Sequence, residues 1–111
     1  MIRRLCLAAF MTTVPLGAVA HQLVVFASVD CENVTVEAKF SSGRVAQQGE
    51  VRILDGENTQ LTTLQLESDG TAVVPLHSVD HSGGLVIEVD TGGHDNYWLL
   101  TPDDIAHNCG S

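Results

Sequence analysis

Residues 21–111 predict an all-β fold, a seven-stranded antiparallel β-sandwich, on three observations. Apolar and polar residues alternate with period two along most of this stretch. Asp-Gly and Gly-Gly pairs interrupt the alternation at regular intervals, as hairpin connections require. After residue 20 no segment shows the apolar spacing of a helix. Short strands at even spacing without helices favour two packed sheets.

Residues 1–20 stand apart from this pattern. Arg3 and Arg4 lead into an apolar stretch over 5–16, and Ala18-Val19-Ala20 has the small-residue pattern of a cleavage site. The segment reads as a secretory signal peptide, and residues 21–111 as a single mature domain. A membrane anchor is the alternative. Thr12, Thr13, Pro15 and Gly17 break its apolar run, which falls short of the ~20 residues a spanning helix needs. The mature chain is therefore expected outside the membrane. Export points to the periplasm, with full secretion as the other destination.

The strands follow in order. Residues 23–29 are a continuous apolar run of strand length. In 34–40, Val34, Val36, Ala38 and Phe40 face one side, and Thr35, Glu37 and Lys39 the other. Residues 51–54 are bounded by Gly49 and Asp55-Gly56. Residues 59–66 alternate through Leu61, Leu64 and Leu66, with an irregularity near Thr62-Thr63. Residues 71–76 follow the turn Ser68-Asp69-Gly70, and 85–89 and 97–100 complete the set.

The whole chain has 111 residues, 44% hydrophobic and 17% charged, which is too short for two ordinary domains and too apolar for a disordered acidic chain. Its net charge is −9. Losing Arg3 and Arg4 leaves Lys39, Arg44 and Arg52 against all 14 acids, a net of −11. Such a chain repels phosphate backbones, so nucleic acid is excluded as a partner and anionic lipid is a poor one. Cys6 lies in the signal segment. The even pair left behind, Cys31 and Cys109, favours a disulfide in an exported protein, with thiolate metal ligation as the alternative.

Antiparallel succession sorts the loops between the two ends of the sandwich. One end, the near pole, receives His21, the loop 41–48, the Ser68-Asp69-Gly70 turn and the turn 91–95. The far pole receives 30–33, Asp55-Gly56, the loop 77–84 and the C-terminal tail. Cys31 and Cys109 thus share a pole without a bridge being assumed.

The five histidines divide in the same way, and none lies in an expected strand. Cleavage after Ala20 makes His21 the N-terminus, so its α-amine and imidazole can chelate one metal ion. An α-amine titrates near ~7.7 and yields its proton to a metal at small cost. His94, in Gly92-Gly93-His94-Asp95, would add a third nitrogen. Nitrogen donors suit nickel, cobalt, copper and zinc. The plainer reading is a polar residue after the signal and an ordinary turn histidine. His77, Asp80 and His81, with His107 nearby, form a second candidate metal site or, more simply, a solvated loop. The Asp-Gly turns lack the alternating acids of a calcium loop. No Ser/His/Asp or Cys/His nucleophile arrangement is visible, so an enzyme is not expected.

Several segments carry a family resemblance: Ala20-His21 with Leu23 and Val25-Phe26-Ala27, residues 34–43, Gly49-Glu50-Val51-Arg52-Ile53, Ser68-Asp69-Gly70 and Ile87-Glu88-Val89-Asp90-Thr91-Gly92-Gly93-His94. Together they resemble the small periplasmic accessory proteins of bacterial nickel/cobalt uptake systems, related to the carboxypeptidase regulatory-like, transthyretin-like sandwich. The resemblance implies a non-enzymatic protein that holds or delivers nickel or cobalt to membrane transporter components. His21 and His94 match the family's recurring histidines. Thr71-Ala72-Val73 stands where an aromatic is usual, and the Cys31/Cys109 pair and the His77/His81 loop are departures. Two other functions compete: a metal-free module docking another envelope protein, and a copper redox enzyme built on the His21 chelate.

Overall fold

Alternation in the sequence becomes alternation in burial. In strand β1 (Leu23–Val29) the apolar run resolves into buried Leu23, Val25, Ala27 and Val29, with Val24, Phe26 and Ser28 outside. Strand β2 (Asn33–Phe40) buries Val34, Val36 and Ala38 in the same rhythm. The computed structural model describes residues 21–109, so the signal-peptide reading of 1–20 lies outside the described residues. Five further strands follow: β3 (Glu50–Asp55), β4 (Gln60–Gln65), β5 (Thr71–Pro75), β6 (Leu85–Asp90) and β7 (Asp95–Leu100).

The seven strands form two antiparallel sheets, one of three strands in the order β1-β2-β5 and one of four in the order β4-β3-β6-β7. β1 and β2 pair over their full length, from Leu23 opposite Phe40 to Val29 opposite Val34. In the larger sheet Val51 lies between Leu64 and Val89, so the buried rows of three strands line up. The irregularity in β4 is a bulge: the register shifts between Ile53 and Leu54, whose partners are Thr62 and Gln60. Leu61 is the extra residue, and both Leu61 and Leu64 pack against the core.

The core between the sheets is aliphatic. Val34, Val36, Val51, Ile53 and Ile87 are fully enclosed, and no polar or charged residue is buried among the described residues. Hydrophobic transfer and close packing therefore hold the sheets together without any internal polar network. At one side β1 and β7 meet edge to edge: the Asn96 side-chain amide donates to the Leu23 carbonyl at 2.9 Å, and the Phe26 and Trp98 rings pack edge-on at 5.0 Å.

A helix where none was expected is the main correction. Helix α1 (Pro102–Asn108) follows β7 directly. At seven residues with only Ile105 buried, it is too short to write a 3.6-residue apolar period. It is set instead by its start. Thr101 Oγ1 accepts from the Asp104 amide and the Asp104 carboxylate accepts from the Thr101 amide, with Pro102 in the first turn. A short 3-10 turn at Leu76–Ser78 likewise cuts β5 one residue early while keeping Leu76 buried. No helix among the described residues is long and apolar enough to cross a membrane.

The poles form as strand succession predicts. At the far pole a disulfide joins Cys31 to Cys109, with their Cα atoms 4.5 Å apart. The β3–β4 turn and the 77–84 loop meet there backbone to backbone, so that a Cβ on Gly56 would run into the Gly83 carbonyl.

Candidate functional site

The near pole holds an open cavity of about 700 Å³, and His21 and His94 both line it. Four short segments deliver its side chains, and three of them carry the histidines and Arg44. The first is the start of β1. Gln22 is clipped to the end of β2, its amide donating to Ser41 Oγ at 3.1 Å and its carbonyl accepting from the Ser41 amide at 2.8 Å. His21 is therefore the residue immediately before a fixed point, although its own side chain is exposed.

The second segment is the turn from β6 to β7. The Thr91 amide and hydroxyl both donate to the His94 carbonyl, at 2.8 and 3.1 Å. Asp90 Oδ1 accepts from the Gly92 amide at 2.8 Å, and Gly92 sits at φ +100, where a side chain would be strained. The turn thus fixes the His94 backbone, and its imidazole packs edge-on against the Phe40 ring at 5.5 Å.

The third is the loop after β2. The Phe40 amide donates to the Arg44 carbonyl and the Gly43 amide donates to the Phe40 carbonyl, each at 2.8 Å. This tight turn returns the chain beside β2. Val45 bridges to Lys39 and buried Ala46 donates to the Ala38 carbonyl at 3.0 Å, anchoring the loop. Arg44, Gln47 and Gln48 are left lining the cavity, which Thr91 joins from the β6–β7 turn and Ser68 from the fourth segment, the turn between β4 and β5.

The electrostatic character of this wall differs from that of the chain as a whole. No Asp or Glu lines the cavity among the described residues, while His21, His94 and Arg44 do. Neighbouring carboxylates serve the turns instead. Asp69 accepts from the Thr71 hydroxyl at 2.6 Å and the Thr71 amide at 3.1 Å, bonds that hold its carboxyl below the usual range. The donors offered to a ligand are thus imidazole nitrogens, a guanidinium, amides and hydroxyls. Such a set suits late first-row metals rather than calcium or magnesium, which want oxygen cages.

Two imidazoles are what the described side chains supply. Among the described residues no three His, Cys, Asp or Glu side chains come together as a group able to hold a metal ion. The third nitrogen of the expected chelate is the α-amine of His21, which exists only when the chain begins there.

The second candidate cluster is placed differently. His77 lies on the 3-10 turn, Asp80 and His81 on the loop after it, and His107 on the last turn of α1. Asp80 Oδ1 accepts from the Ser82 amide at 3.2 Å and the Ser82 hydroxyl at 2.9 Å, which lowers its carboxyl pKa and occupies it in shaping the loop. His77, Asp80 and His81 do not gather into a metal-holding group. Both Cys31 and Cys109 are consumed by their bridge, so neither is a thiolate ligand.

Sequence reasoning missed Arg44 and Phe40 as parts of the site. Their signal was present: strand succession puts the loop 41–48 at the His21 pole, and Arg44 is its single cation. Comparison with protein-family models, with curated proteins and with solved structures found no match to this chain.

Proposed function

We propose that the protein is a non-enzymatic, exported binder of a late first-row transition metal, nickel or cobalt, which it presents to a membrane transporter from the periplasmic side. The observation that carries this reading is that His21 and His94, 73 positions apart in sequence, line the same cavity, each next to a hydrogen-bonded backbone anchor. Cleavage after Ala20 adds the His21 α-amine and completes three nitrogens, a donor set that also accepts copper or zinc. A transthyretin-like sandwich, in the manner of the nickel/cobalt accessory proteins that the sequence resembles, is the finer fold reading that goes with it.

The test is calorimetric titration of nickel, cobalt, copper and zinc into the exported, processed protein, its N-terminus checked by mass spectrometry. A form beginning at Ala20 and a His94→Ala variant are titrated beside it. One ion per chain, with affinity reduced at least about tenfold in both altered forms, is the expected result; a tenfold change corresponds to about 1.4 kcal/mol of binding free energy. Binding that survives both changes, or no binding in the processed protein, sinks the reading.

One observation favours a docking module instead. Phe26 and Trp98 at the β1–β7 seam are 43% and 37% exposed, and Tyr97 and Leu99 on β7 are 56% and 53% exposed. Exposed aromatic and aliphatic groups collected on neighbouring edge strands are a feature of partner-binding surfaces. The form beginning at Ala20 separates the two readings, because it loses the amine chelate and leaves the seam untouched.

A further inference from the structure

We infer that the near-pole cavity takes its metal as a complex with a small carboxylate chelator, the Arg44 guanidinium gripping a carboxylate while His21 and His94 bind the ion. The inference rests on the metal reading above and extends it to the form in which the metal arrives.

Three features of the site lead there. The first is size. A cavity of about 700 Å³ falls in the range of ~300–1,000 Å³ typical of small-molecule sites. A metal ion held by protein side chains alone needs no such space. The second is ligand number. Two imidazoles and an amine leave coordination positions of a nickel or cobalt ion unfilled, and no carboxylate lines the cavity to fill them. A bound chelator brings its own oxygens.

The third is charge. Of the three cations after residue 20, Arg52 is committed to Glu50 at 2.8 Å and Glu88 at 3.1 Å on the outer face of the larger sheet. Lys39 belongs to the outward row of β2. Arg44 makes no ion pair among the described residues and lines the cavity with the two histidines. A guanidinium beside a bare divalent ion opposes its binding. Beside an anionic chelate it adds attraction and a planar fork that matches a carboxylate. Ser42, Gln47, Gln48 and Ser68 also line the cavity and supply further hydrogen-bond donors for the chelator's remaining oxygens. An anionic complex approaching so acidic a protein finds here a wall without carboxylates.

The experiment uses the exported, processed protein and three probes: nickel chloride, citrate alone, and a one-to-one nickel citrate mixture. Each is measured by equilibrium dialysis with metal analysis and labelled citrate, for the native chain, Arg44→Gln, Arg44→Lys and His94→Ala. Thermal melts confirm that every variant is folded. The expected result is that nickel citrate binds at least tenfold more tightly than nickel chloride, with metal and citrate retained in equal amounts. Arg44→Gln removes that advantage, weakening nickel citrate and, with the repelling guanidinium gone, tightening nickel chloride. Arg44→Lys, which keeps the charge and loses the fork, falls between. His94→Ala weakens both nickel forms. Nickel retained with no citrate advantage, or an advantage that persists in Arg44→Gln, overturns this inference and leaves the metal reading standing. Citrate retained equally with and without nickel overturns this inference alone, whereas nickel retained from neither nickel chloride nor nickel citrate overturns the metal reading as well.

Discussion

The two ends of this sandwich solve different problems with the same kind of loop. At the far pole the chain is tied three ways: a disulfide from the β1–β2 turn to the end of α1, a backbone-on-backbone approach of Gly56 and Gly83, and a helix start closed by Thr101 and Asp104. At the near pole the loops are held without a covalent tie among the described residues, by hydrogen bonds near their bases, by buried Ala46 and by the close approach of Gly70 to the Ala38 carbonyl. There the side chains of His21, Arg44 and His94 stand around an open cavity. The covalent tie thus lies at the end away from the cavity, and the loops around the cavity rely on noncovalent anchors. With an aliphatic core and little aromatic content to draw on, the covalent tie at the far pole carries a large share of the fold's stability.

If the poles divide the work in this way, the largest effect comes from the bridge. Replacing Cys31 and Cys109 together by alanine frees a loop spanning 78 positions, which the chain-entropy account values at about 4–5 kcal/mol. Urea unfolding should show a loss of that size, while nickel affinity measured well below the midpoint stays within about twofold. A parallel loss of affinity would show that the poles are coupled.

Next in size is Gly56→Ala. The added methyl meets the Gly83 carbonyl, which is backbone and cannot swing aside. The cost should be about 1–3 kcal/mol in the same unfolding experiment. A neutral result would mean that the two far-pole loops move apart freely, and the contrast between the poles would weaken.

Thr101→Ala opens the capping box of α1 and should cost about 1 kcal/mol. Thr101→Ser retains the hydroxyl and should recover most of it.

The smallest effect is acid sensitivity, and it compares the poles directly. Asp30 Oδ1 accepts from the Glu32 and Asn33 amides at 2.7 Å beside the disulfide, and its carboxyl is held below the ordinary range chiefly by the Asn33 bond. Asp69 at the near pole is lowered by Thr71, its hydroxyl first and then its amide. A carboxyl with a depressed folded pKa adds stability that is fully present above its unfolded value, near ~3.9, and fades as pH falls through the folded one. Stability should therefore be level in this respect above about pH 5 and decline below about pH 4. Asp30→Asn and Asp69→Asn should each lower the neutral-pH melting temperature slightly and flatten that decline. A larger drop for Asp69→Asn than for Asp30→Asn would locate the critical turn at the near pole.

Most strand positions were legible because β1, β2, β3, β5 and β6 each bury alternate residues, and period two survives in the letters of β2 and β6 without outside help. β1 was legible as a strand although its seven residues contain no charge, because its length and flanks exclude a long helix. Helix α1 was not read from periodicity, since one buried residue leaves no period to detect. Its trace was the Thr101-Pro102-Asp103-Asp104 start, a capping signature that needs no amphipathic stripe. The site was half legible. Counting strands puts His21 and His94 at one end, but no count shows that Phe40 supports the His94 ring or that Arg44 is turned back onto the cavity by the Gly43 turn.

The placement of the disulfide also decides how this protein answers a pulling force. His21 enters at one end of the sandwich and Cys109 sits at the other, so a load between them runs along the strands. The bridge joins the loaded end directly to Cys31, and everything between Cys31 and Cys109 is shielded inside a closed ring. Only the ten residue steps from His21 to Cys31 can be drawn out, about 36 Å at full extension. With the bridge reduced, the same pull can unravel the whole of 21–109, about 320 Å of contour. Redox state thus sets an order-of-magnitude difference in how far this protein can be stretched.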